Sequence, residues 1–163
     1  MRDVSDISDM KISEIIAPER VAIDIPLSSK KAVLERLAEM LSSADPSLSA
    51  KDVFDSLLAR ERLGTTGLGA GIAIPHGRVV TKAASIGAFV RTGSPIGFDA
   101  VDNAPVDLFF ALCVPEDANE KHLALLAELA TKFSDSRFVA GLRGSVEQAE
   151  VFRQLIAEDT SDV

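Results

Sequence analysis

The amino-acid sequence predicts a single-domain α/β fold, in which a mixed parallel and antiparallel sheet is flanked by helices. The chain has 163 residues, the usual length of one domain, and can bury roughly 70% of its unfolded surface. The predicted order is one strand, two helices, four strands and then further helices, which suggests a mixed sheet covered by helices on its faces. A nearly continuous apolar run from Val106 to Val114 has the length of a strand, and we expect it at the buried centre of the sheet.

The first elements are a helical turn, a strand and a helix. Ile12 to Ile16 can form one helical turn, and Val21 to Ile25 alternates as a strand that ends before a proline. Ser28 or Ser29 then caps a helix that runs to about Leu41, since apolar residues recur along it at helical spacing.

A second helix leads into the residues on which the functional interpretation depends. Ser49 and Asp52 resemble a capping box with Asp in place of Glu, and the helix that they begin carries Arg60, Glu61 and Arg62 at its end. These arginines can act on the following loop, or they can simply occupy a solvated helix end, where cations favour the helix dipole. The spacing alone leaves both interpretations open.

A glycine-rich segment follows this helix. Glycine accepts a positive φ and lets the backbone approach a ligand closely, so such a segment can turn its N–H groups inward as an anion-binding nest. Two threonines add hydroxyl donors. The segment contains Gly64, Thr65, Thr66, Gly67, Gly69 and Gly71.

A histidine stands just after the glycines. Pro75 biases the preceding residue toward the extended region, so Ile72 to Ile74 is predicted to be a short strand that delivers His76 at its end, on the edge of a loop. A neutral imidazole is nucleophilic near neutral pH. A histidine after proline is also common as a loop residue with one hydrogen bond, and the spacing does not decide between the two.

Familiar nucleotide-binding loops do not fit the glycine segment. A P-loop closes with Gly-Lys-Ser/Thr at a helix start, and a dinucleotide fingerprint lies between a strand and a helix. Here a helix precedes the glycines and a strand follows them. An ATP or NAD site is therefore disfavoured, and we expect no cofactor.

The middle of the chain predicts further strands. Ser85 to Val90 is predicted to be a strand, Thr92 to Pro95 a turn, Ile96 to Phe98 a short strand and Asp99 to Pro105 a polar loop. Cys113 falls inside the central apolar run, so we interpret its thiol as a packing group.

The next helix carries the second of the two histidines. Asp117 or Asn119 can cap a helix that runs through Phe133, with His122 in its first turn. First-turn N–H groups and the helix dipole favour an anion there, although an exposed residue without function is equally consistent with the position. The buried stripe is predicted to consist of Leu123, Leu126, Ala127, Ala130 and Phe133.

Two short helices end the chain. Asp135 or Ser136 opens one toward Leu142, and Ser145 with Gln148 forms a capping-box pattern for the last. Its predicted apolar face consists of Val146, Ala149, Phe152 and Ile156. We divide the chain into an acidic leader (1–10), one domain (11–157) and an acidic tail (158–163).

Composition and charge exclude several functional classes. The formal net charge of −8 argues against nonspecific binding to nucleic acid or anionic membranes. No apolar segment approaches the ~20 residues that span a bilayer, and residues 1–10 lack the apolar run of a signal peptide. Cys113 is the only cysteine, so no internal disulfide can form. Together these features predict a cytoplasmic protein.

Two stretches of the chain resemble a known family. Gly64 to Arg78, which contains the block Gly-Ile-Ala-Ile-Pro-His-Gly, and Pro95 to Pro115 are similar to the mannitol/fructose-type enzyme IIA family of the phosphoenolpyruvate-dependent phosphotransferase system. The likeness extends from about Ile12 to Ile156 and is greatest to the nitrogen-regulatory members. It implies the mannitol-type enzyme IIA fold.

The resemblance also implies a site and a donor. His76 matches the histidine that accepts a phosphoryl group from the phosphohistidine of a small HPr-like carrier protein, and neither metal nor cofactor is implied. The other matching site residues are His122, Arg60 and Thr66, with Gly67, Gly69 and Gly71 in the phosphate-binding loop.

Three functions remain to be weighed. Nitrogen-regulatory members bind target proteins, such as potassium transport or sensor systems, in a phosphorylation-dependent way. The alternative is a sugar-specific component that passes phosphate to a fructose- or mannitol-type permease domain. A metal hydrolase built on His76, His122 and Asp102 or Asp107 is disfavoured, because catalytic zinc sites usually show three ligands with local spacing.

Overall fold

The structure is a computed structural model that describes residues 11–81, 84–118 and 120–157. The predicted leader and tail lie outside these residues, so the proposed division into segments stays a prediction. The strands are β1 (Val21–Ile25), β2 (Gly67–Gly69), β3 (Ile72–Ala73), β4 (His76–Val79), β5 (Ile86–Ile96) and β6 (Val106–Pro115). The helices are α1 (Ile12–Ile15), α2 (Lys30–Ser42), α3 (Ala50–Leu63), α4 (Glu120–Phe133), α5 (Ser136–Gly144) and α6 (Gln148–Ile156), with a 3₁₀ helix at Pro18–Arg20.

The strands form one mixed six-stranded sheet, as predicted. Its order is β1-β5-β6-β3-β2, and β4 also pairs with β6. The central pair β5 and β6 is antiparallel, whereas β1 runs parallel to β5 and both β3 and β4 run parallel to β6. The predicted apolar run is thus β6, which pairs with β3, β4 and β5.

Each face of the sheet has its own apolar core. Along β6 alternate residues point to opposite faces, as strand geometry requires. Phe109 and Ala111 pack in the core beneath α2 and α3. Phe110 and Leu112 pack in the core formed with α1, α4, α5 and α6.

Predicted helix caps lie at the start of α2 and α3. The Ser29 hydroxyl accepts a hydrogen bond from the N–H of Ala32, and the Ser49 hydroxyl accepts one from the N–H of Asp52, each over 3.0 Å. These bonds satisfy donors that a helix start leaves unpaired. They confirm the predicted starting points of both helices.

The predicted turn at Thr92 to Pro95 is wrong, because β5 continues through it to Ile96. The pairing register between β5 and β6 shifts between Arg91 and Ile96, which is the signature of a bulge. Within it the Thr92 hydroxyl donates to the carbonyl of Ser94 over 2.7 Å. A proline is tolerated there, since bulged residues do not need a ladder hydrogen bond.

The predicted buried stripe of α4 is rotated on the helix. Leu125, Leu129 and Phe133 are buried, whereas Leu123 is 55% exposed and Ala127 is also exposed. This helix has apolar residues on most of its circumference, so helical spacing is satisfied by more than one face. Packing against the sheet selects the face.

The predicted start of the last helix is also wrong. The hydroxyl of Ser145 does not cap α6; it donates to the carbonyl of Gly141 and accepts from the side-chain amide of Gln154, each over 2.8 Å. The N-cap position is Glu147. Val146, predicted to be buried, is 81% exposed.

None of the helices in the described ranges is both long enough and apolar enough to cross a membrane.

Candidate functional site

The sequence predicts His76 at the edge of a loop, and this prediction is wrong. The structure places His76 within the sheet, paired with a residue of β6. It is the first residue of β4 and pairs with Leu112 of β6. The same register relates Ile72 to Leu108, so β3 and β4 follow β6 as one interrupted strand. Pro75 causes the interruption because it has no N–H, but its carbonyl still accepts from the N–H of Leu112 over 2.9 Å.

The backbone next to His76 approaches helix α3 very closely. A Cβ added to Gly77 would lie 2.3 Å from the hydroxyl oxygen of Ser56 and 3.0 Å from its carbonyl carbon. The Ser56 hydroxyl also donates to the carbonyl of Arg78 over 2.7 Å. Since side chains alternate along a strand, Gly77 faces α3 while half-buried His76 leaves the sheet on the face of Ile72.

One hydrogen bond sets the tautomer of His76. Its Nδ1 lies 2.9 Å from the carbonyl oxygen of Ile74. A carbonyl can only accept, so in the neutral ring Nδ1 carries the proton. Nε2 then keeps its lone pair, and it is the nitrogen available for nucleophilic attack.

The pKa of His76 is lowered from its ordinary value of 6.5. Burial is the main cause, because it disfavours the charged ring, and the charge of Arg60 acts in the same direction. The hydrogen bond to Ile74 and the charge of Glu61 partly offset this by raising the pKa. The ring is therefore neutral at physiological pH.

We expect the titration of His76 to occur below pH 6.5. In a His122→Ala variant only one histidine remains, so its ring signals in NMR are unambiguous. Because the folded pKa is lowered, the unfolded chain takes up this proton first, and the stability that depends on a neutral ring is lost as pH falls from 6.5 through the folded pKa. A midpoint at or above 6.5 would contradict the burial of this ring.

Arg60 and Glu61 come from the last turn of α3 and act differently. Arg60 is half-buried, and its Nη1 donates to the carbonyl of Gly64 over 2.8 Å. Glu61 is buried, with its side chain 2% exposed, and Lys30 lies 3.3 Å from its Oε2. Glu61 was not predicted as a site residue. The sequence did offer a sign of its burial: Glu61 lies four residues after Leu57, so the two share the face of α3 that is directed toward the core.

Thr66 is bonded to Glu61 by both of its donors. Its N–H donates to Oε2 over 2.8 Å and its hydroxyl donates to Oε1 over 2.6 Å. Its carbonyl accepts from the N–H of Ile74 over 3.0 Å. Thr66 thus lies one hydrogen-bonded step from the residue that holds the His76 ring.

The predicted loop glycines are spread along the hairpin of β2 and β3. The N–H of Gly67 donates to the hydroxyl of Thr65 over 3.0 Å. The turn has positive φ at three successive residues, 100° at Gly69, 59° at Ala70 and 81° at Gly71. Glycine at the first and last of these positions adopts a positive φ without steric cost. A phosphate-binding role for these glycines stays a prediction.

Gly69 and Gly71 are far from His76. The carbonyl of Gly71 accepts from the N–H of Asp107 over 3.0 Å. His76 pairs with Leu112, five residues beyond Asp107 on β6, and at about 3.3 Å per residue this separates the two strand positions by roughly 16 Å. The Thr66 and Gly67 end of the hairpin lies nearer to the histidine, since the Thr66 carbonyl accepts from the N–H of Ile74.

The two aspartates of the metal alternative lie at that distant turn. Asp107 pairs with Arg143 over 2.7 Å. Asp102 accepts from the N–H groups of Ala70 and Ala104, each over 3.0 Å, and these bonds lower its pKa. Within the described ranges, no three His, Cys, Asp or Glu side chains are grouped to hold a metal ion.

His122 is placed only by its backbone, which lies in the first turn of α4. Its side chain is outside the part of the chain that the structure describes. The predicted meeting of His76 and His122 therefore stays a prediction. Cys113 is buried as predicted, and burial raises its pKa to about 12, which suits a packing role.

Comparisons with known proteins identify close relatives. The family model described as "Phosphoenolpyruvate-dependent sugar phosphotransferase system, EIIA 2" matches residues 14–158. A nitrogen regulatory protein of Pseudomonas aeruginosa is 40% identical over 149 residues, which are 91% of this chain and 96% of that protein. The crystal structure of the nitrogen regulatory protein IIA-Ntr from Neisseria meningitidis is 44% identical with a TM-score of 0.83, and the match covers 88% of this chain and 98% of that chain.

A more distant match concerns the fold alone. The crystal structure of IIA mannitol from Escherichia coli is 20% identical, with a TM-score of 0.68 over 85% of this chain and 97% of that chain. The predicted mannitol-type fold is confirmed, and so is the family resemblance inferred from two stretches of sequence.

Proposed function

Because the chain belongs to the EIIA 2 family of the phosphoenolpyruvate-dependent sugar phosphotransferase system, we propose that it is a phosphocarrier that accepts a phosphoryl group on Nε2 of His76. The donor is the phosphohistidine of a small HPr-like carrier protein. The supporting observation is the hydrogen bond from Nδ1 to the Ile74 carbonyl, which leaves Nε2 with a free lone pair. The lowered pKa of His76 keeps that lone pair available at neutral pH.

The transfer needs no base and no cofactor. The Nε2 lone pair forms the new P–N bond as the P–N bond of the donor breaks, and the donor nitrogen takes up that electron pair. The proton on Nδ1 stays in place. The positive charge that develops on the ring is stabilised by the Ile74 carbonyl, which already accepts this proton over 2.9 Å. Transfer between two histidines can be close to balanced, so positioning and charge neutralisation supply the catalysis.

Cationic and N–H groups around His76 would neutralise the phosphoryl oxygens. We keep Arg60 as a phosphate contact, because its charge already acts on His76 and a guanidinium can bind phosphate with two parallel donors. His122 is proposed as a neutral N–H donor. The proposed contribution of the glycine loop is restricted to its Gly67 end, because the turn at Gly69 and Gly71 lies roughly 16 Å away along the strands. Thr66 also belongs to the proposed site, although its hydroxyl proton is already donated to Glu61.

We further infer a regulatory role in the cytoplasm, where phosphorylation alters the binding of target proteins. Relatives that match most of the chain are named nitrogen regulatory proteins, which favours nitrogen-linked signalling over sugar transfer. A phosphate adds about −1.5 to −2 charge by analogy with phosphorylated hydroxyl residues, enough to repel or recruit a charged partner. Potassium transport or sensor systems are the partners that we propose.

Phosphoryl transfer from the charged carrier tests the acceptor. After incubation with phosphoenolpyruvate, enzyme I and the HPr-like carrier, intact-mass analysis should show an acid-labile gain of one phosphate. Arg60→Ala should slow this gain on the order of 10²-fold, as expected for loss of one charge-stabilising donor, while the fold is retained. No gain in the wild type with a fully charged carrier would contradict the phosphocarrier function.

Deletion of the gene separates the regulatory role from the sugar-specific alternative. We expect altered nitrogen or potassium responses and no loss of uptake for any fructose- or mannitol-type sugar. Failed uptake of one such sugar, restored by the wild-type chain, would favour the alternative in which His76 passes its phosphate to a permease domain.

A further inference from the structure

We propose that Glu61 is a positioning residue for His76, and that it acts by holding Thr66, whose backbone orients the strand that carries the histidine. This inference rests on the proposed role of His76 as the phosphoacceptor. It assigns a function to a buried carboxylate that is not itself expected to touch the phosphoryl group.

Glu61 binds Thr66 through both oxygens of its carboxylate, and we call this bidentate Glu61–Thr66 pair the clamp. Both oxygens of its carboxylate accept from one residue, Oε2 from the N–H and Oε1 from the hydroxyl of Thr66, over 2.8 and 2.6 Å. Both residues are buried. Hydrogen bonds to a charged acceptor in a water-excluded position are stronger than neutral ones, so Thr66 is held in one orientation.

The clamp is connected to His76 by backbone hydrogen bonds. The Thr66 carbonyl accepts from the N–H of Ile74 over 3.0 Å, and the Ile74 carbonyl accepts from Nδ1 of His76 over 2.9 Å. The position of Thr66 therefore helps to fix the strand segment whose carbonyl sets both the ring orientation and the tautomer. A displacement of Thr66 would move the acceptor that keeps Nε2 free.

Lys30 neutralises the clamp. Its Nζ lies 3.3 Å from Oε2 of Glu61 and 3.4 Å from Oδ2 of Asp99, and 4.5 Å from the ring centre of Phe98. A buried carboxylate without a cation is strongly unfavourable, and its charge would also repel an incoming phosphoryl group. With Lys30 in place, Glu61 can hold Thr66 without opposing the reaction.

The hydrogen bonds to Glu61 prevent the Thr66 hydroxyl from donating to a phosphoryl group. A hydroxyl has a single proton, and Thr66 donates it to Glu61, so it has no hydrogen left to donate to phosphate. The residue as a whole is also only 5% exposed. Thr66 is thus a second positioning residue, and the charge neutralisation of the phosphoryl group falls to other groups.

The matched variants Glu61→Gln and Glu61→Ala separate positioning from charge. The Gln side chain can still accept from the Thr66 N–H and donate to the Thr66 hydroxyl oxygen, so it keeps the clamp without the charge. Alanine removes both. We expect Glu61→Gln to retain most of the transfer rate and Glu61→Ala to lose on the order of 10²-fold, as for a misplacement of about 1 Å in a reacting group.

A second readout does not require phosphate. In a His122→Ala background with ¹⁵N-labelled histidine, the Nδ1–H signal of His76 reports the bond to Ile74. We expect Glu61→Gln to keep this signal and Glu61→Ala to lose it through exchange with water. Both variants should titrate at a lower pH than the parent, because each removes the charge that raises the pKa of His76, whereas the opposing charge of Arg60 remains.

The outcomes distinguish this inference from the proposed function. An Nδ1–H signal and a rate that are unchanged in Glu61→Ala would overturn the positioning role, as would a Glu61→Gln variant as impaired as Glu61→Ala. If the wild type accepts no phosphate, the phosphocarrier function fails while the NMR readout still tests the clamp. If Glu61→Ala does not fold, Thr66→Val decides: it should weaken the Nδ1–H signal whereas Thr66→Ser should not, and equal signals would overturn the inference.

Discussion

Replacing His76 by alanine should abolish the acid-labile phosphorylation of the chain and leave its fold intact. The ring supplies the proposed nucleophile, Nε2, and its one described hydrogen bond is local, to the carbonyl of Ile74 two residues earlier. The half-buried side chain lies at the start of β4, outside both apolar cores, so its loss removes little packing. Intact-mass analysis after transfer from the charged carrier measures the phosphate, and circular dichroism with thermal unfolding measures the fold.

His122→Ala is the matched control, since it removes the other histidine. We expect this variant to accept phosphate, at a reduced rate if His122 donates an N–H to the phosphoryl group as proposed. Full phosphorylation of His76→Ala, with loss in His122→Ala, would instead identify His122 as the acceptor.

Gly77→Ala should destabilise the chain by about 1–3 kcal/mol, the usual cost of inserting a methyl group into a well-packed contact. Its Cβ would lie 2.3 Å from the Ser56 hydroxyl oxygen and 3.0 Å from the Ser56 carbonyl carbon, so β4 and α3 must move apart. His76 is the neighbouring residue on β4, and we expect phosphoryl transfer to slow as well. Chemical denaturation measures the stability, and the carrier assay measures the rate.

Two comparisons show whether the contact with α3 is the cause. Gly97→Ala adds the same methyl group where nothing lies within 4 Å, and it should have little effect on either quantity. Ser56→Gly combined with Gly77→Ala removes the Ser56 hydroxyl oxygen, which is the nearest atom, and leaves the backbone carbonyl carbon at 3.0 Å, so it should recover part of the stability. A Gly77→Ala variant as stable as Gly97→Ala would contradict the close approach of β4 to α3.

Elements specified by local chemistry were predicted well. Ser29 and Ser49 cap their helices because a hydroxyl next to an unpaired N–H is a short-range feature that the sequence displays directly. The apolar run that became β6 was equally clear, because a strand buried on both faces needs apolar residues at nearly every position.

Elements whose position depends on tertiary contacts were predicted poorly. His76 pairs with Leu112, a distant residue, and no local pattern indicates that a strand resumes after Pro75. The buried face of α4 was misassigned because Leu123 and Leu125 both fit helical spacing, and only the sheet distinguishes them. Val146 is exposed although it is apolar, because the helix begins later than the Ser145 pattern suggested.

In the candidate site, too, some residues could be predicted from the sequence, whereas their partners and distances depend on tertiary contacts. Arg60, Thr66 and His76 were selected by resemblance, and Arg60 and Glu61 are close enough for their charges to act on His76. The partner of Thr66 was not predictable, because buried Glu61 and the Lys30 that pairs with it come from two different helices, which meet only in the folded chain. The distance of Gly69 from His76 follows from the hairpin, which carries its turn away from the histidine.

The nitrogen of His76 that carries the phosphate is the most direct test of the central claim. The chain is labelled with ¹⁵N-histidine, phosphorylated by the charged carrier and examined by NMR without acid treatment, so that the ring nitrogens and their attached groups are read separately. We expect phosphate on Nε2 of His76 with the proton still on Nδ1 and bonded to the Ile74 carbonyl. Phosphate on Nδ1, or on no histidine while the carrier is charged, would contradict the mechanism.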